Sequence, residues 1–260
     1  MEKDKDPGRY RIEALAKGLT VLGLFDEQTV SLKLREICDL TRIPMPTAFR
    51  IVATLEEDGF LDRTADGAYQ PGVAVLTLGS AAIRGSGLVQ ASERPLRDLA
   101  DATGETVNLG VLLGDQVLYL VRLRNSDLVT ANVQVGSTLP AVYTSMGKLL
   151  LSGLTPDELT THLGARPFDR EAGPNAVRDL GELQRRLAEI REQGYAMQDQ
   201  ELAAGLRSVS VPVIGRDGRT VAAVNIAVSS SKRSAEDLRG PLLDRLRAAA
   251  DEIMQRMATT

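Results

Sequence analysis

Apolar residues near the start of the chain recur at helical spacing in three successive segments. Spacings of i, i+3, i+4 and i+7 place side chains on one face of an α-helix, so three short amphipathic helices are predicted. From first to third, their apolar positions are Leu15, Leu19, Leu22 and Phe25; Leu34, Ile37 and Cys38; and Ala48, Ile51, Val52 and Leu55. We expect the first helix to pack behind the other two.

Turn and capping signals surround the third helix. Thr41–Pro44 separates it from the second helix, and Pro46 has the fixed φ that suits a first helical turn. Gly59 is a candidate C-terminal cap, and residues 60–70 follow with a turn at 65–67. Two short helices with a tight turn, followed by a small hairpin, predict a winged helix-turn-helix.

In that motif the second of the two helices enters the DNA major groove. Its predicted outward face carries Thr47, Arg50 and Thr54, with Phe49 beside them. The other predicted DNA-binding residues are Lys33, Arg42, Met45 and Arg63. Two amphipathic helices and a hairpin also occur in many other folds, and charge gives only weak support. Residues 1–87 hold 11 Lys and Arg against 13 Asp and Glu, and cations exceed acids only locally, over 33–50.

The pattern of apolar and polar residues changes after the predicted wing. Residues 73–83 are apolar, Ala-rich and helical in pattern, and Arg84–Gly87 interrupts them, which places a domain boundary there. A linking helix of this kind either forms a dimer contact or packs on its own domain. We therefore divide the chain into a DNA-binding domain at 11–72, a linker helix at 73–87 and a second domain at 88–258.

The second domain is predicted to combine helices with two groups of strands. Helices are expected at 88–102, within 140–154, after the capping box Thr155–Glu158, at 175–194 and, capped by Ser234, at 238–257. Extended runs are expected at 106–113, 117–124, 129–135, 208–214 and 220–228. This arrangement predicts an α+β fold built on an antiparallel sheet.

Composition narrows the class of protein. A chain of 260 residues with 43% apolar residues can bury a core, and its formal charge of −4 implies no general affinity for polyanions. The single cysteine, Cys38, favours the reducing cytoplasm. No apolar run approaches the roughly 20 residues of a transmembrane helix, and the charged start does not resemble a signal peptide, so no membrane partner is expected.

Residues that commonly carry catalysis or bind metals are scarce. The one histidine, His162, lies far from Cys38, so neither a zinc site of the usual kind nor a catalytic triad is expected. The stretch 146–148 lacks the spacing of a phosphate-binding loop. The acidic run 199–201 is more typical of a surface than of a cation site. We therefore expect no enzyme, no cofactor and no metal.

Polar residues interrupt the apolar strands of the second domain. They are Asn108, Thr130, Asn132, Ser208, Ser210 and Asn225. Some of them would face solvent, but small polar residues that converge inside an apolar cavity would suit a small acid or alcohol. Arg122 and Arg124 could supply a counter-charge to an acid, or could equally face water.

Several segments, taken in order, resemble the IclR-type bacterial transcription regulators across nearly the whole chain. They are Leu34–Leu55 with 59–61, Tyr69-x-Pro71-Gly72, Leu76 with Leu78-Gly79, Val135–Pro140, Thr144–Leu151, Gly194-Tyr195, Glu201, Gly205–Ser208 and Val221–Asn225. In that family a winged helix-turn-helix precedes a GAF-like effector-binding domain. The resemblance implies a dimer or dimer of dimers that binds a pseudo-palindromic operator in double-stranded DNA and responds to a small organic acid.

Within the family, 144–147 and 199–208 are most similar to regulators of protocatechuate, hydroxybenzoate and β-ketoadipate catabolism, which implies an aromatic acid effector. Carried over by position, the effector pocket would involve Ser145, Met146, Asp199, Ser208, Asn225 and Ala227. Exposed N–H groups at a helix start near Ser145 would favour a carboxylate. Met45 and Pro46 stand where family members often carry a Lys and a small hydroxyl residue, which shifts the expected DNA contacts onto Thr47 and Arg50.

Two other functions remain compatible with the pattern. The second domain could convert a small acid while the N-terminal domain tethers it, although the sequence offers no acid–base constellation. Alternatively, the winged helix could bind a protein. A turnover assay set beside a DNA-shift assay separates the enzyme from the regulator, and a pull-down from genomic fragments separates DNA binding from protein binding.

Overall fold

The computed structural model describes residues 10–26, 29–124, 133–163, 167–168 and 171–259. The chain forms two compact units, Met1–Gly85 and Ser86–Thr260. The helix-turn-helix and the linker segment belong to the first unit, and the predicted effector domain is the second.

Helices and a small hairpin make up the first unit. Its elements are α1 (Glu13–Leu22), α2 (Leu34–Thr41), α3 (Met45–Glu57), β1 (Leu61–Arg63), β2 (Tyr69–Pro71) and α4 (Val73–Gly85). α2 ends at Arg42, whose φ of 57° is left-handed, and α3 is followed by Gly59 with a φ of 75°. Both conformations turn the chain sharply, as the sequence predicts for the turn and the helix cap. β1 and β2 pair antiparallel, and a bridge from Leu32 to Tyr69 extends this wing.

The packing of α1 differs from the prediction. Leu15 and Leu19, expected on its apolar face, are 59% and 61% exposed, whereas Val21 is fully buried. α1 faces α3 through Gly18, where a Cβ would lie 4.0 Å from Cγ2 of Ile51. Leu15 and Leu19 therefore stay outside, whereas Leu22 and Phe25 of the same predicted stripe pack against the core of this unit, as expected.

The described residues of the second unit form one six-stranded antiparallel sheet and its helices. Its elements are α5 (Gly87–Thr103), β3 (Thr106–Leu113), β4 (Gln116–Leu123), β5 (Thr138–Pro140), a 3₁₀ turn (Ala141–Tyr143), α6 (Ser145–Ser152), α7 (Pro156–His162), α8 (Leu180–Gln193), β6 (Ala196–Asp199), β7 (Leu206–Ile214), β8 (Thr220–Ser229), α9 (Ala235–Arg239) and α10 (Pro241–Thr259). The strand order is β5-β4-β3-β8-β7-β6, and every pairing is antiparallel. The predicted α+β class is confirmed.

The two faces of this sheet differ in chemistry because side chains alternate along each strand. Val107, Ile226 and Val209 lie side by side in register and join the core beneath α5 and α10. The neighbouring register row, Asn108 with Asn225, points to the opposite face, which α6, α7 and α8 cover. Polar residues on a buried face require partners, so this second face is where a site is to be sought.

Three predicted elements need correction. The helix expected from Asn175 begins at Leu180, because the Asp179 side chain accepts a hydrogen bond from the backbone of Glu182 and sets the first turn. The final helix is two helices, broken at Gly240, and Ser234 caps the short α9. The strand β6, which follows Gly194, is missing from the prediction, since four residues carry too little pattern.

The extended run predicted at 129–135 falls largely outside the described residues. Its described part, 133–135, is not in a strand, and the edge strand β5 begins at Thr138 instead. No single described helix is long and apolar enough to cross a membrane. Among the described helices, the consecutive pair α4 and α5 reaches that length and apolar content when the two are counted together.

Candidate functional site

The outward surface of α3 carries the residues that the sequence predicts there. Thr47, Arg50, Thr54 and Phe49 are exposed, with Phe49 at 54%, while Ala48 and Val52 are fully buried. The Thr54 hydroxyl donates to the Arg50 carbonyl at 3.0 Å, which keeps the threonine close to the helix and leaves the guanidinium as the longest projecting group. This face can present one cation and two hydroxyls to a groove.

The ends of the two helices place the other predicted residues around that face. Met45 opens α3, is 45% exposed, and its Sδ accepts from Sγ of Cys38 at 3.7 Å. Arg42 lies exposed in the turn, and Lys33 lies exposed immediately before α2. In the wing, Arg63 is exposed and its guanidinium carbon lies 5.7 Å from the ring centre of Tyr69.

In the second unit, a small cavity of about 20 Å³, roughly room for one water molecule, opens on the polar face of the sheet. Its polar lining consists of Asn108, Arg122, Thr144, Gln198, Ser208 and Asn225. Its apolar walls and its one phenol come from Tyr119, Val133, Leu139, Leu202, Leu206 and Ala227. Among the described residues that line it there is no carboxylate, so Arg122 is the charged group of this lining.

Hydrogen-bond direction in the cavity is fixed by Arg122. A guanidinium can only donate, so its contact at 3.0 Å identifies the atom of Asn108 that it meets as the acceptor Oδ1. The Nδ2 of Asn108 then donates to Oδ1 of Asn225 at 2.7 Å. This series of hydrogen bonds uses the Oδ1 acceptors of Asn108 and Asn225. The Nδ2 donors of Asn225 therefore remain available on the cavity lining.

Two further lining residues, Gln198 and Thr144, also keep hydrogen-bond donors available to the cavity. The backbone N–H of Glu201 donates to Oε1 of Gln198 at 2.9 Å, and Nε2 of Gln198 donates to the Leu206 carbonyl at 3.3 Å, which leaves its second amino hydrogen. Oγ1 of Thr144 accepts from the Gly147 backbone at 2.9 Å and keeps its own hydrogen to donate. The cavity therefore offers donors, which suits a ligand rich in acceptors.

Burial shifts the pKa of two ionisable groups in the cavity lining, Tyr119 and Arg122. Burial raises the pKa of the Tyr119 phenol, which stays neutral at physiological pH. Burial also lowers the pKa of the Arg122 guanidinium, and the neighbouring Tyr119 opposes that shift. An arginine guanidinium is not deprotonated in proteins, so Arg122 is the cation of this lining.

The structure brings together some of the predicted effector residues. Ser208, Asn225 and Ala227 line the cavity, and the hydroxyl of Ser145 lies 2.7 Å from that of Ser208. Met146, the next residue in α6, is fully buried in the core, and its Cε is 3.4 Å from where a Cβ on Gly110 would lie.

Asp199 is not brought to this cavity. Along β6 side chains alternate, so Gln198 faces the lining and Asp199 faces away, where its Oδ1 accepts from Nε of Arg207 at 2.7 Å. In place of Asp199 the structure supplies Gln198 and Thr144, which the sequence does not single out. The strand pairing of Gln198 with Ser208 is the signal that would have found the glutamine, and it is visible only once β6 is recognised.

The other residues that the sequence analysis considered for catalysis or metal binding, His162 and the acidic residues Asp199 and Glu201, make contacts of their own in the structure. His162 ends α7 and its Nδ1 lies 2.9 Å from the Gly114 carbonyl. Within the described part of the chain, no cluster of three His, Cys, Asp or Glu could hold a metal ion. The carboxylates of Asp199 and Glu201 both pair with cations, so their charge is already balanced.

A winged helix with a polar, cation-bearing helix face, joined in one chain to a domain with a donor-lined cavity, defines a ligand-responsive transcription regulator. Two family models match this chain: "IclR helix-turn-helix domain" over residues 14–65 and "Bacterial transcriptional regulator IclR C-terminal" over residues 80–255. The chain belongs to the IclR family of bacterial transcriptional regulators. It therefore binds DNA through its N-terminal unit and an effector through its C-terminal unit.

Individual relatives agree with this membership. The chain is 31% identical over 246 residues to the Pca regulon regulatory protein of Pseudomonas putida, covering 94% of this chain and 84% of that protein. An IclR family transcriptional regulator from Brucella abortus matches with a TM-score of 0.82 at 27% identity, covering 95% and 94% of the two chains. An IclR homolog from Microbacterium hydrocarbonoxydans, solved in complex with 4-hydroxybenzoate, matches with a TM-score of 0.73 at 26% identity, covering 95% and 100%. The Pca regulon regulatory protein and a second curated relative, of Escherichia coli, are both named as regulators, and the chain is a regulator rather than an enzyme.

Proposed function

We propose that this regulator senses a small hydroxylated aromatic acid in the cavity of its C-terminal unit and controls catabolic genes. The observation that carries the proposal is the ordered chain from Arg122 through Asn108 to Asn225, which turns amide donors and one cation toward a single cavity. A carboxylate accepts hydrogen bonds only, so it matches such a lining better than a neutral ligand does.

The apolar walls favour a ring over a short acid. Leu139, Leu202 and Leu206 line the cavity together with Ala227. These side chains must move outward to admit a benzoate ring, and they would then supply the apolar contact that the ring buries. The paired hydroxyls of Ser145 and Ser208 can each donate or accept, so they suit a ligand hydroxyl. The relative in complex with 4-hydroxybenzoate and the relative named for the Pca regulon support the same ligand class.

On the DNA side, we propose that Arg50 and Thr47 read the operator, with Lys33, Arg42, Arg63 and Thr54 contacting the backbone or neighbouring bases. Met45 and Phe49 offer apolar surface at the same helix. Arg50 can pair with a guanine edge or with phosphate, because its guanidinium projects from the exposed face.

Self-association is part of the proposal. α4 has no buried residue, and Val73, Leu76 and Leu78 on it are 72%, 73% and 58% exposed. Large apolar side chains concentrated on one exposed helix mark an interaction surface. We propose that a second copy covers this helix in a dimer or dimer of dimers, so that two recognition helices meet a pseudo-palindromic operator.

The effector assignment is tested by calorimetry with 4-hydroxybenzoate, protocatechuate and pyruvate. We expect the aromatic acids to bind and pyruvate to bind more weakly, and we expect Ser208→Val to weaken the binding of both aromatic acids. Ser210→Val is the matched control, because Ser210 is one strand repeat away and its hydroxyl donates to the Val224 carbonyl rather than lining the cavity. Absence of heat from every acid, or equal binding by the Ser208 variant, would show that the ligand class or the cavity is wrong.

A further inference from the structure

The loop between β6 and β7, residues 200–205, forms one wall of the effector cavity through Leu202. Its backbone is unusual at Gln200, which has a φ of 56° although it is not a glycine. A residue in this left-handed region is held only where its surroundings determine the conformation. Within the loop, the backbone N–H of Gly205 donates to Oε1 of Gln200 at 3.1 Å, and Glu201 attaches the loop to the rest of the fold.

Glu201 makes that attachment with its carboxylate. Oε1 and Oε2 accept from Nζ of Lys148 at 2.5 and 2.6 Å, and Oε2 also pairs with Arg186 at 2.8 Å. Lys148 is 1% exposed and Glu201 is 4% exposed, while Arg186 pairs in addition with Glu182 at 2.6 Å. The cluster is thus buried at its centre and balanced in charge, with two cations against two carboxylates.

The backbone of Glu201 makes a second attachment, toward the cavity. Its N–H donates to Oε1 of Gln198 at 2.9 Å, which sets the direction of the Gln198 amide in the lining. Its carbonyl accepts from the Gly173 N–H at 2.8 Å, so the neighbouring segment also fastens the loop. One residue therefore orients a lining donor and places the adjacent wall residue, Leu202.

Lys148 carries the connection into α6. It lies one turn after Ser145, whose hydroxyl meets Ser208, and Thr144 at the start of the same helix lines the cavity. The Lys148–Glu201 pair thus joins two walls of the cavity from behind. A buried ion pair is costly, and an apolar pair of similar volume often stabilises a fold as well or better. Stability alone therefore does not explain why charges occupy these positions.

We propose that Glu201, held by Lys148 and Arg186, is the positioning residue of the effector cavity: it fixes the 200–205 loop and the Gln198 amide, so that both keep their places in the wall when the effector enters. The inference rests on the proposed function, since it assigns a role to residues behind the same cavity. Preorganising a binding wall raises affinity because less ordering is needed when the ligand arrives.

The test replaces the charged side chains of Lys148 and Glu201 with apolar side chains of similar volume, so that no cavity is created. In the full-length protein, Lys148→Met combined with Glu201→Leu should melt at or above the wild-type temperature, because no unpaired charge is left at the centre of the cluster. We expect its Kd for 4-hydroxybenzoate to rise by about tenfold, the size typical of contacts within a coupled network. We also expect faster amide hydrogen exchange in peptides that cover 199–206, whereas a purely structural role would leave both readings at the wild-type value.

The matched control removes an ion pair that does not touch the loop. Glu252→Gln with Arg256→Gln in α10 breaks a contact of 2.8 Å and should change neither the Kd nor the exchange of 199–206. If the apolar double variant fails to fold, Arg186→Gln serves in its place, because Arg186 is only partly buried; it should raise the Kd by about threefold and loosen the same peptides.

Two results would overturn the inference. One is an unchanged Kd in the folded variant, whatever its exchange, and the other is a raised Kd with unchanged exchange. If the wild type binds none of the aromatic acids, the proposed ligand class fails by itself. Exchange in 199–206 then decides this inference alone, and equal exchange in variant and wild type would contradict it.

Discussion

Asn108 donates from Nδ2 to Oδ1 of Asn225 across β3 and β8, with 2.7 Å between the two atoms. The direction of this bond follows from Arg122, which can only donate to the other end of Asn108. An arginine on β4 thereby determines which atoms of a residue two strands away face the cavity. The proposed preference for an acid would then follow from the sheet register rather than from a single cationic contact.

A carboxylate at position 225 should destroy this preference. Asn225→Asp keeps the acceptor that Asn108 needs but removes the Nδ2 donors and adds a negative charge to the cavity lining. We expect calorimetry to show affinity for 4-hydroxybenzoate falling by about 10- to 100-fold, as for loss of a hydrogen bond to a charged group. Gln255→Glu, at an exposed position of α10, adds the same charge outside the cavity and should bind as the wild type does. Equal binding by both variants would place the ligand elsewhere.

The operator affinity should depend on Arg50. Its side chain projects from the exposed face of α3, so Arg50→Ala should cost about 1–3 kcal/mol of binding and relax the sequence preference at one base pair if it reads a guanine. Fluorescence anisotropy on operator variants at physiological salt measures both effects. Arg219→Ala, an exposed arginine of the C-terminal unit, is the control. An unchanged affinity in Arg50→Ala would remove this residue from the interface.

The start of α6 should tolerate no side chain at position 147. A Cβ on Gly147 would overlap the backbone of Ala141, whereas a Cβ on Gly153 at the other end of the helix finds its nearest atom at 3.5 Å. We expect Gly147→Ala to lower the free energy of unfolding by about 1–3 kcal/mol, the usual cost of overpacking. Gly153→Ala should change it by less than about 0.5 kcal/mol. Urea unfolding of the two variants makes the comparison, and equal midpoints would contradict the close approach.

The exposed apolar residues of α4 should hold copies of the chain together. We expect light scattering at micromolar concentration to give a mass of at least two chains, and we expect Leu76→Glu to reduce that mass because it places a charge within the apolar surface. Leu113→Glu substitutes a residue that is 56% exposed in the C-terminal unit and should leave the mass unchanged. A wild type that remains a monomer at every concentration would contradict the proposed oligomer.

Features that depend on neighbouring residues could be predicted from the sequence. The turn between α2 and α3, the wing hairpin and the Thr155–Glu158 capping box all follow from local backbone and capping preferences. The α+β class followed from the grouping of apolar runs. These features need no knowledge of which strands pair.

Features that depend on long-range register could not be predicted in the same way. Gln198 reaches the cavity because β6 pairs with β7 beside Ser208, and Arg122 reaches it because β4 pairs with β3 opposite Asn108. Asp199 was expected in the pocket from the family resemblance, and a shift of one residue along the strand turns it to the other face, toward Arg207. The exposure of Leu15 and Leu19 in α1 has a similar cause, because only the assembled helices show that Gly18 is the residue that faces Ile51 of α3.

We expect an acid bound in the donor-lined cavity to change the affinity of the protein for its operator DNA. The most direct measurement is the Kd for an operator fragment, selected from genomic DNA, with and without saturating 4-hydroxybenzoate, in the wild type and in Asn225→Asp. We predict that the acid changes the wild-type Kd by about tenfold, within the usual range of allosteric coupling, and leaves that of the variant unchanged. A wild-type Kd that does not respond to an acid it binds, or an equal response in Asn225→Asp, would contradict the account.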